Sequence, residues 1–141
     1  MCTDIPKQVK MLFQKKPSLR TNTVEIGTEI FTVEVANTTA TITKGLGERD
    51  AIGSDGMLFV MPQRDIPSFW MYGMRFDLDF VWIDRDTVLD ITENVQAEQG
   101  AVPSELKTYS PNGPVTHVLE LNSGEVKKRG LKIGDRVQFS Y

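Results

Sequence analysis

The sequence predicts a mainly β fold: a compact, nearly closed antiparallel β-barrel with two short helices, α+β by some counts. Three observations carry this. Short runs rich in β-branched and aromatic residues recur along the chain, at 24–35, 57–61, 78–83, 88–91, 115–121 and 136–139. Gly, Pro, Asn and Asp punctuate them. Only two stretches suit a helix, with no strand–helix–strand rhythm, which argues against a parallel, doubly wound sheet. The length of 141 residues suits one domain, and 40% apolar content is enough for a core.

Residues 1–22 contain Pro6 and Pro17 and no sustained apolar period, and read as a basic tether ahead of one compact domain over 23–141. The run VEIGTEIFTVEV breaks at Gly27-Thr28 into a hairpin, with Phe31, Val33 and Val35 on its apolar face. Asn37 is the expected N-cap of a short helix over 38–46, weakened by its threonines. GERDAIGSDG is a loop, and Met57–Met61 a strand ended by Pro62. Phe69–Met71 is a short strand before a turn at Gly73.

Leu78–Ile83 is the longest apolar strand, with Leu78, Phe80 and Trp82 on one face and Asp79, Val81 and Ile83 on the other. Asp84–Thr87 turns into Val88–Ile91; 92–114 reads as a long irregular crossing. Val115–Leu121 follows, with Val115, His117, Leu119 and Leu121 on one face. Ser123 should cap the helix EVKKR, whose basic last turn and Gly130 mark its end, and Arg136–Phe139 closes the chain.

Composition excludes several classes. No run approaches the roughly 18 apolar residues of a membrane span. The single cysteine, Cys2, rules out an internal disulfide and a cysteine-based zinc site, and the single histidine argues against His-rich metal centres. No metal, cofactor or phosphate-loop motif is present, so neither metal nor cofactor is expected. Residues 1–21 carry five basic residues against one acidic, leaving eleven basic against eighteen acidic in the rest. An acidic body is a poor nucleic-acid partner. The basic arm suits peripheral contact with anionic lipid, or is simply a solvated leader. Cys2 followed by a polar stretch fits the lipidated start of a bacterial lipoprotein, and hence the cell envelope; the alternative is an ordinary cytoplasmic protein. A monomer is expected.

The ordered motifs Gly45-Leu46-Gly47-Glu48-Arg49, Gly56-Met57-Leu58-Phe59 with Pro62, Phe69-Trp70-Met71, Leu78-Asp79, Ile83-Asp84, Val118-Leu119-Glu120 and Gly134-Asp135 resemble a family known only as domain of unknown function number 192. The resemblance spans about 24–139 and implies a compact, mainly β fold in small prokaryotic proteins, many exported. It implies no activity. This chain departs from the family pattern at Gly47, where methionine is usual, at Tyr72 and Gly73, where lysine and asparagine are usual, and at Asp77, in place of proline.

The segment FWMYGMRFDLDFVWID, residues 69–84, holds both tryptophans and three aspartates and concentrates the candidate chemistry. Asp79, at the end of a strand apolar on both faces, must be hydrogen-bonded, paired or protonated; Arg49 and Arg75 are the natural partners. Its structural alternative is to accept backbone N–H groups and hold the turn at Gly73. Asp77 shares its face, more as turn polarity than as a carboxylate pair. The expected site is a cleft walled by Trp70, Met71 and Asp79 with Arg49 nearby, binding a small polar ligand or a peptide end. A hydrolase or lyase with Asp79 as general acid or base and Arg49 as electrostatic clamp is the alternative, and a structural accessory domain without a small-molecule site is the third. The reading leans against an enzyme, because no nucleophile is legible.

Overall fold

The computed structural model describes residues 21–141; Cys2 and the basic arm lie outside the described residues. The first β-branched run folds as a hairpin. β1 (Thr23–Ile26) and β2 (Glu29–Ala36) pair antiparallel across Gly27-Thr28. Gly27 has φ 61°, a left-handed value that costs glycine nothing. Phe31 and Val33 are buried, Val35 packs beside them and Ile30 faces water, so the odd positions form the apolar face.

Helix α1 (Thr39–Lys44) is capped by Thr38 rather than Asn37. Thr38 Oγ1 accepts the Thr41 N–H at 3.1 Å, and Thr41 Oγ1 accepts the Thr38 N–H at 3.0 Å. The threonines that weaken the helix interior thus supply a reciprocal cap.

Seven further strands follow: β3 (Gly56–Asp65), β4 (Phe69–Trp70), β5 (Leu78–Asp84), β6 (Thr87–Val95), β7 (Thr108–Tyr109), β8 (Val115–Asn122) and β9 (Val137–Ser140). A second helix, α2 (Glu125–Arg129), precedes β9. The main sheet runs β6-β5-β8-β3-β2-β1-β9, and β4 pairs with β7 in a small separate ladder. The fold is mainly β with two short helices, as expected. One pairing is parallel: β2 runs alongside β3 because the crossover between them carries α1.

The sheet curls into a half-barrel. Its edges meet at one end, where Thr87 bridges Arg136 and the Val88 and Val137 N–H groups donate to the Asp135 and Asp86 carbonyls at 3.0 and 2.8 Å. Pro62 lies inside β3 instead of ending it, in the stretch where register against β8 shifts between Val60 and Asp65. A residue without an N–H is tolerated at such an irregularity. Val115, beyond the shift, joins Val118 rather than Leu119 and Leu121. β6 extends to Val95 and β7 forms at 108–109, so the expected irregular crossing is partly strand.

Both faces of the sheet are covered. Phe31, Leu58, Val81, Ile83, Leu119 and Leu121 fill the concave side, closed by Val126 of α2. Phe59, Leu78, Phe80, Trp82 and Val118 line the other side, roofed by Leu46, Met71 and Met74. That double cover explains why Leu78–Ile83 of β5 are all buried. Gly56 is required where β3 meets β8: a Cβ there would lie 2.6 Å from the Glu120 carbonyl and 2.8 Å from Leu121 Cδ2.

Candidate functional site

Asp79 is fully buried, and three backbone donors hold its carboxylate. Oδ1 accepts the Asn94 N–H at 2.8 Å, and Oδ2 accepts the Gly124 and Val126 N–H groups, both at 3.0 Å. The last two are orphan donors at the start of α2. The expected Ser123 cap is absent: Gly124 sits at the cap position without a side-chain bond, and the Ser123 hydroxyl donates to Asn94 Oδ1 at 2.6 Å. Asp79 therefore caps α2 from another strand and pins it to the sheet. The turn at Gly73 is held separately, by the Glu48 N–H donating to the Gly73 carbonyl at 2.7 Å.

The other expected site residues do not assemble around Asp79. Arg49 forms a two-pronged pair with Glu34 on β2, one contact at 3.2 Å. Arg75 pairs with Asp50 at 2.8 Å. Met71 is buried beneath the turn. Asp77 is exposed and accepts the Ala97 N–H at 2.8 Å, and Asp84 takes Arg64 in a fork at 2.8 and 3.0 Å. That hydrogen bond to the guanidinium holds the Asp84 carboxyl below its ordinary range. His117 bonds Thr116 Oγ1 through Nδ1 at 2.8 Å and the Tyr141 hydroxyl through Nε2 at 2.9 Å, and stacks on Phe139 at 4.2 Å. Burial pushes its pKa down.

Trp70 does line a pocket, but with different neighbours. Its partner on β4, Phe69, is anchored edge-on against Phe59, Phe80 and Trp82 at 5.2, 6.0 and 5.5 Å. Alternation along β4 leaves Trp70 47% exposed, with its ring 5.5 Å from that of Tyr72. This aromatic ledge stands at one rim of a cavity of about 250 Å³. The C-terminal end of α1 and its following turn, residues 42–47, also line it, with Ser68 and Met74. The sheet supplies the floor through Phe59, Leu78 and Glu120.

Glu120 is the one charged residue type in that floor. It lies centrally on β8, directly across from Met57 on β3 and Phe80 on β5. Only 5% of it is exposed, and none of the side-chain hydrogen bonds or ion pairs among the described residues involves its carboxyl. The carboxyl oxygens are not sealed in the core either, so they open into the cavity. Burial among apolar side chains raises the Glu120 pKa to about 8. In the sequence Glu120 stands out only as part of the family motif Val118-Leu119-Glu120, with no role attached. The signal was Val118, an apolar residue on the same side.

The chain matches the family described as "Uncharacterized ACR, COG1430" (domain of unknown function 192) over residues 20–139 and belongs to it. Two solved structures are similar. One, from Sinorhizobium meliloti 1021, is described as a "putative transcription regulator"; it is 30% identical, with a TM-score of 0.74 over 85% of this chain and 95% of that one. The other, a protein of unknown function from Novosphingobium aromaticivorans DSM 12444, is 32% identical, with a TM-score of 0.71 over 82% of this chain and 83% of that one. No curated protein matches.

Proposed function

We propose that this protein is a cell-envelope binding module that takes a small ligand, with an apolar body and one polar end, into the cavity floored by Glu120. One observation carries the reading: a carboxyl only 5% exposed opens into a cavity without a partner among the described residues. A nearly buried carboxyl that faces a cavity and has no protein partner is free to bond what enters it, water or a ligand. The half-exposed Trp70 and Tyr72 add an apolar, stackable rim.

A thermal-shift screen of small metabolites tests this. A ligand at 100 times its Kd adds about 2.7 kcal/mol of stability, and Glu120→Gln should reduce that gain. Shifts that survive unchanged in both Glu120→Gln and Trp70→Ala would sink the cavity as the site. A screen with no shifts, alongside capture of a protein partner, would favour the accessory-domain reading.

A second reading keeps the hydrolase or lyase alternative but moves its acid to Glu120. A carboxyl with a pKa of about 8 is protonated at neutral pH and can donate a proton inside an apolar cavity. Turnover lost in Glu120→Gln but retained in a stably folded Asp79 variant would establish it. A nucleic-acid role is disfavoured by the eleven basic against eighteen acidic residues over 22–141. The envelope location rests on Cys2 and the basic arm that follows it; intact mass of the native protein showing an unmodified cysteine would remove that support.

A further inference from the structure

Resting on the binding-module reading, we infer that the polar end of the ligand is a protonated amine, seated on Glu120 with its apolar stem lying toward the Trp70–Tyr72 ledge. The polar groups that the cavity offers point to it. Its floor presents the Glu120 carboxyl, which when ionised is purely an acceptor. One wall is the C-terminal end of α1, where backbone carbonyls run out of helical donors. The Gly45 and Gly47 N–H groups serve the Thr41 and Lys44 carbonyls at 2.9 and 3.0 Å. Among the described residues the carbonyls of Ile42 and Thr43 accept no backbone N–H and the Leu46 N–H has no backbone acceptor, so this wall offers both kinds of group. The ionised floor therefore calls for a donor, and an ammonium brings three with a full charge. Ammonium-to-carboxylate hydrogen bonds are roughly twice as strong as neutral ones.

Two alternatives fit less well. A divalent metal needs several oxygen or nitrogen ligands, and no group of three His, Cys, Asp or Glu side chains gathers among the described residues. A neutral hydroxyl could pair with the protonated carboxyl but brings no charge to the ionised one, where an ammonium does. The ledge also favours a cation, since aromatic faces attract positive charge. The groups packed around Glu120 do not neutralise it. β3 presents Met57 and Phe59 and β5 presents Leu78 and Phe80; β4 contributes no titratable side chain, and Tyr72 from the following turn is exposed. Lys44, the one cation among the lining residues, is exposed at the rim.

Amine binding then displaces a proton. At neutral pH the Glu120 carboxyl holds a proton that an ammonium must expel, so affinity should rise close to tenfold per pH unit up to about pH 8 and then level. The experiment uses the full chain and matched probes: benzylammonium, phenethylammonium and butylammonium against benzyl alcohol, 2-phenylethanol and 1-butanol, titrated calorimetrically at pH 6, 7 and 8 in two buffers of different ionisation enthalpy. We expect the ammonium series alone to bind, with close to one proton released at pH 7. Glu120→Gln should lower affinity at least tenfold and abolish both the release and the pH slope. Alcohols binding while ammoniums fail overturns the amine and leaves the binding module standing. Ammonium binding without proton release, or unchanged in Glu120→Gln, overturns the placement. Failure of both series overturns the inference, and the broad metabolite screen then judges the module separately.

Discussion

Two buried carboxylates stand on neighbouring strands, Asp79 on β5 and Glu120 on β8, and they solve the same problem in opposite ways. Asp79 meets three backbone N–H groups and none of its surface reaches solvent. Glu120 meets no donor among the described residues, and its acidity is weakened until it holds a proton near neutral pH. Burial alone therefore says little about role; the partner list does. A carboxylate whose lone pairs are filled by the backbone is part of the frame, whereas one left open toward a cavity is available to something outside the chain.

The sharpest way to break that distinction is at Asp79. Asp79→Ala removes the acceptor for the first donors of α2 and for Asn94 at once. We expect a loss of about 3–5 kcal/mol, near the top of the range for single substitutions, read as a lower urea midpoint at unchanged slope. Asp79→Asn keeps one carbonyl oxygen and should lose about half as much. A change within roughly 0.5 kcal/mol in the alanine variant would mean that Asp79 does not hold α2.

Glu120 should behave in the opposite sense. Its folded pKa of about 8 lies above its ordinary value of 4.5. Between these values the unfolded chain gives up the proton while the folded chain keeps it, so the unfolded state binds fewer protons. The stability contributed by this group is fully present below pH 4.5 and is lost as pH rises to about 8. Glu120→Gln removes the slope. The variant's stability relative to wild type should therefore rise by on the order of 3 kcal/mol from pH 5 to pH 8. Parallel curves for the two proteins across that range would show that Glu120 is not held in an apolar setting.

The contrast was half legible in the sequence. The β5 run Leu78–Ile83, apolar on both faces, showed that this strand lies between two packed layers and that Asp79 needs partners. What the sequence hid was where the partners come from. Gly124 and Val126 are 45 and 47 residues away along the chain, and Arg49, the partner that charge suggests, is taken by Glu34. Glu120 was hidden for a different reason. Strand alternation assigns it a face, but whether that face is wet depends on the layer above it. That layer consists of the α1 end, β4 and the turn at Gly73, each too short or irregular to be placed by periodicity.

A smaller effect tests how firmly the Glu120 strand is held. Gly56→Ala would push a methyl group against the Glu120 carbonyl at 2.6 Å, so β3 and β8 must separate. A loss of about 1–3 kcal/mol is the usual result of such overpacking. Hydrogen exchange should then quicken in β3 and β8 rather than around Asp79 and α2. Equal quickening in both places would mean that the two carboxylate regions unfold as one unit rather than as frame and site.

The smallest expected effect on stability is also the one that bears most directly on the site. Trp70 is 47% exposed and touches its neighbour Tyr72 ring to ring, while Phe69 beside it carries the packing that fixes β4. Trp70→Ala should therefore change stability by no more than about 1 kcal/mol. Its ring nevertheless lines the cavity, so an ammonium ligand should lose on the order of 0.5–1 kcal/mol of attraction, about two- to fivefold in affinity. The same substitution at the buried Trp82, whose indole N–H donates to Thr92 Oγ1 at 2.9 Å, should instead cost several kcal/mol of stability. If Trp70→Ala unfolds the protein as Trp82→Ala does, the rim belongs to the frame. If it leaves both stability and affinity untouched, the ledge plays no part in binding, and only the Glu120 floor remains as the site.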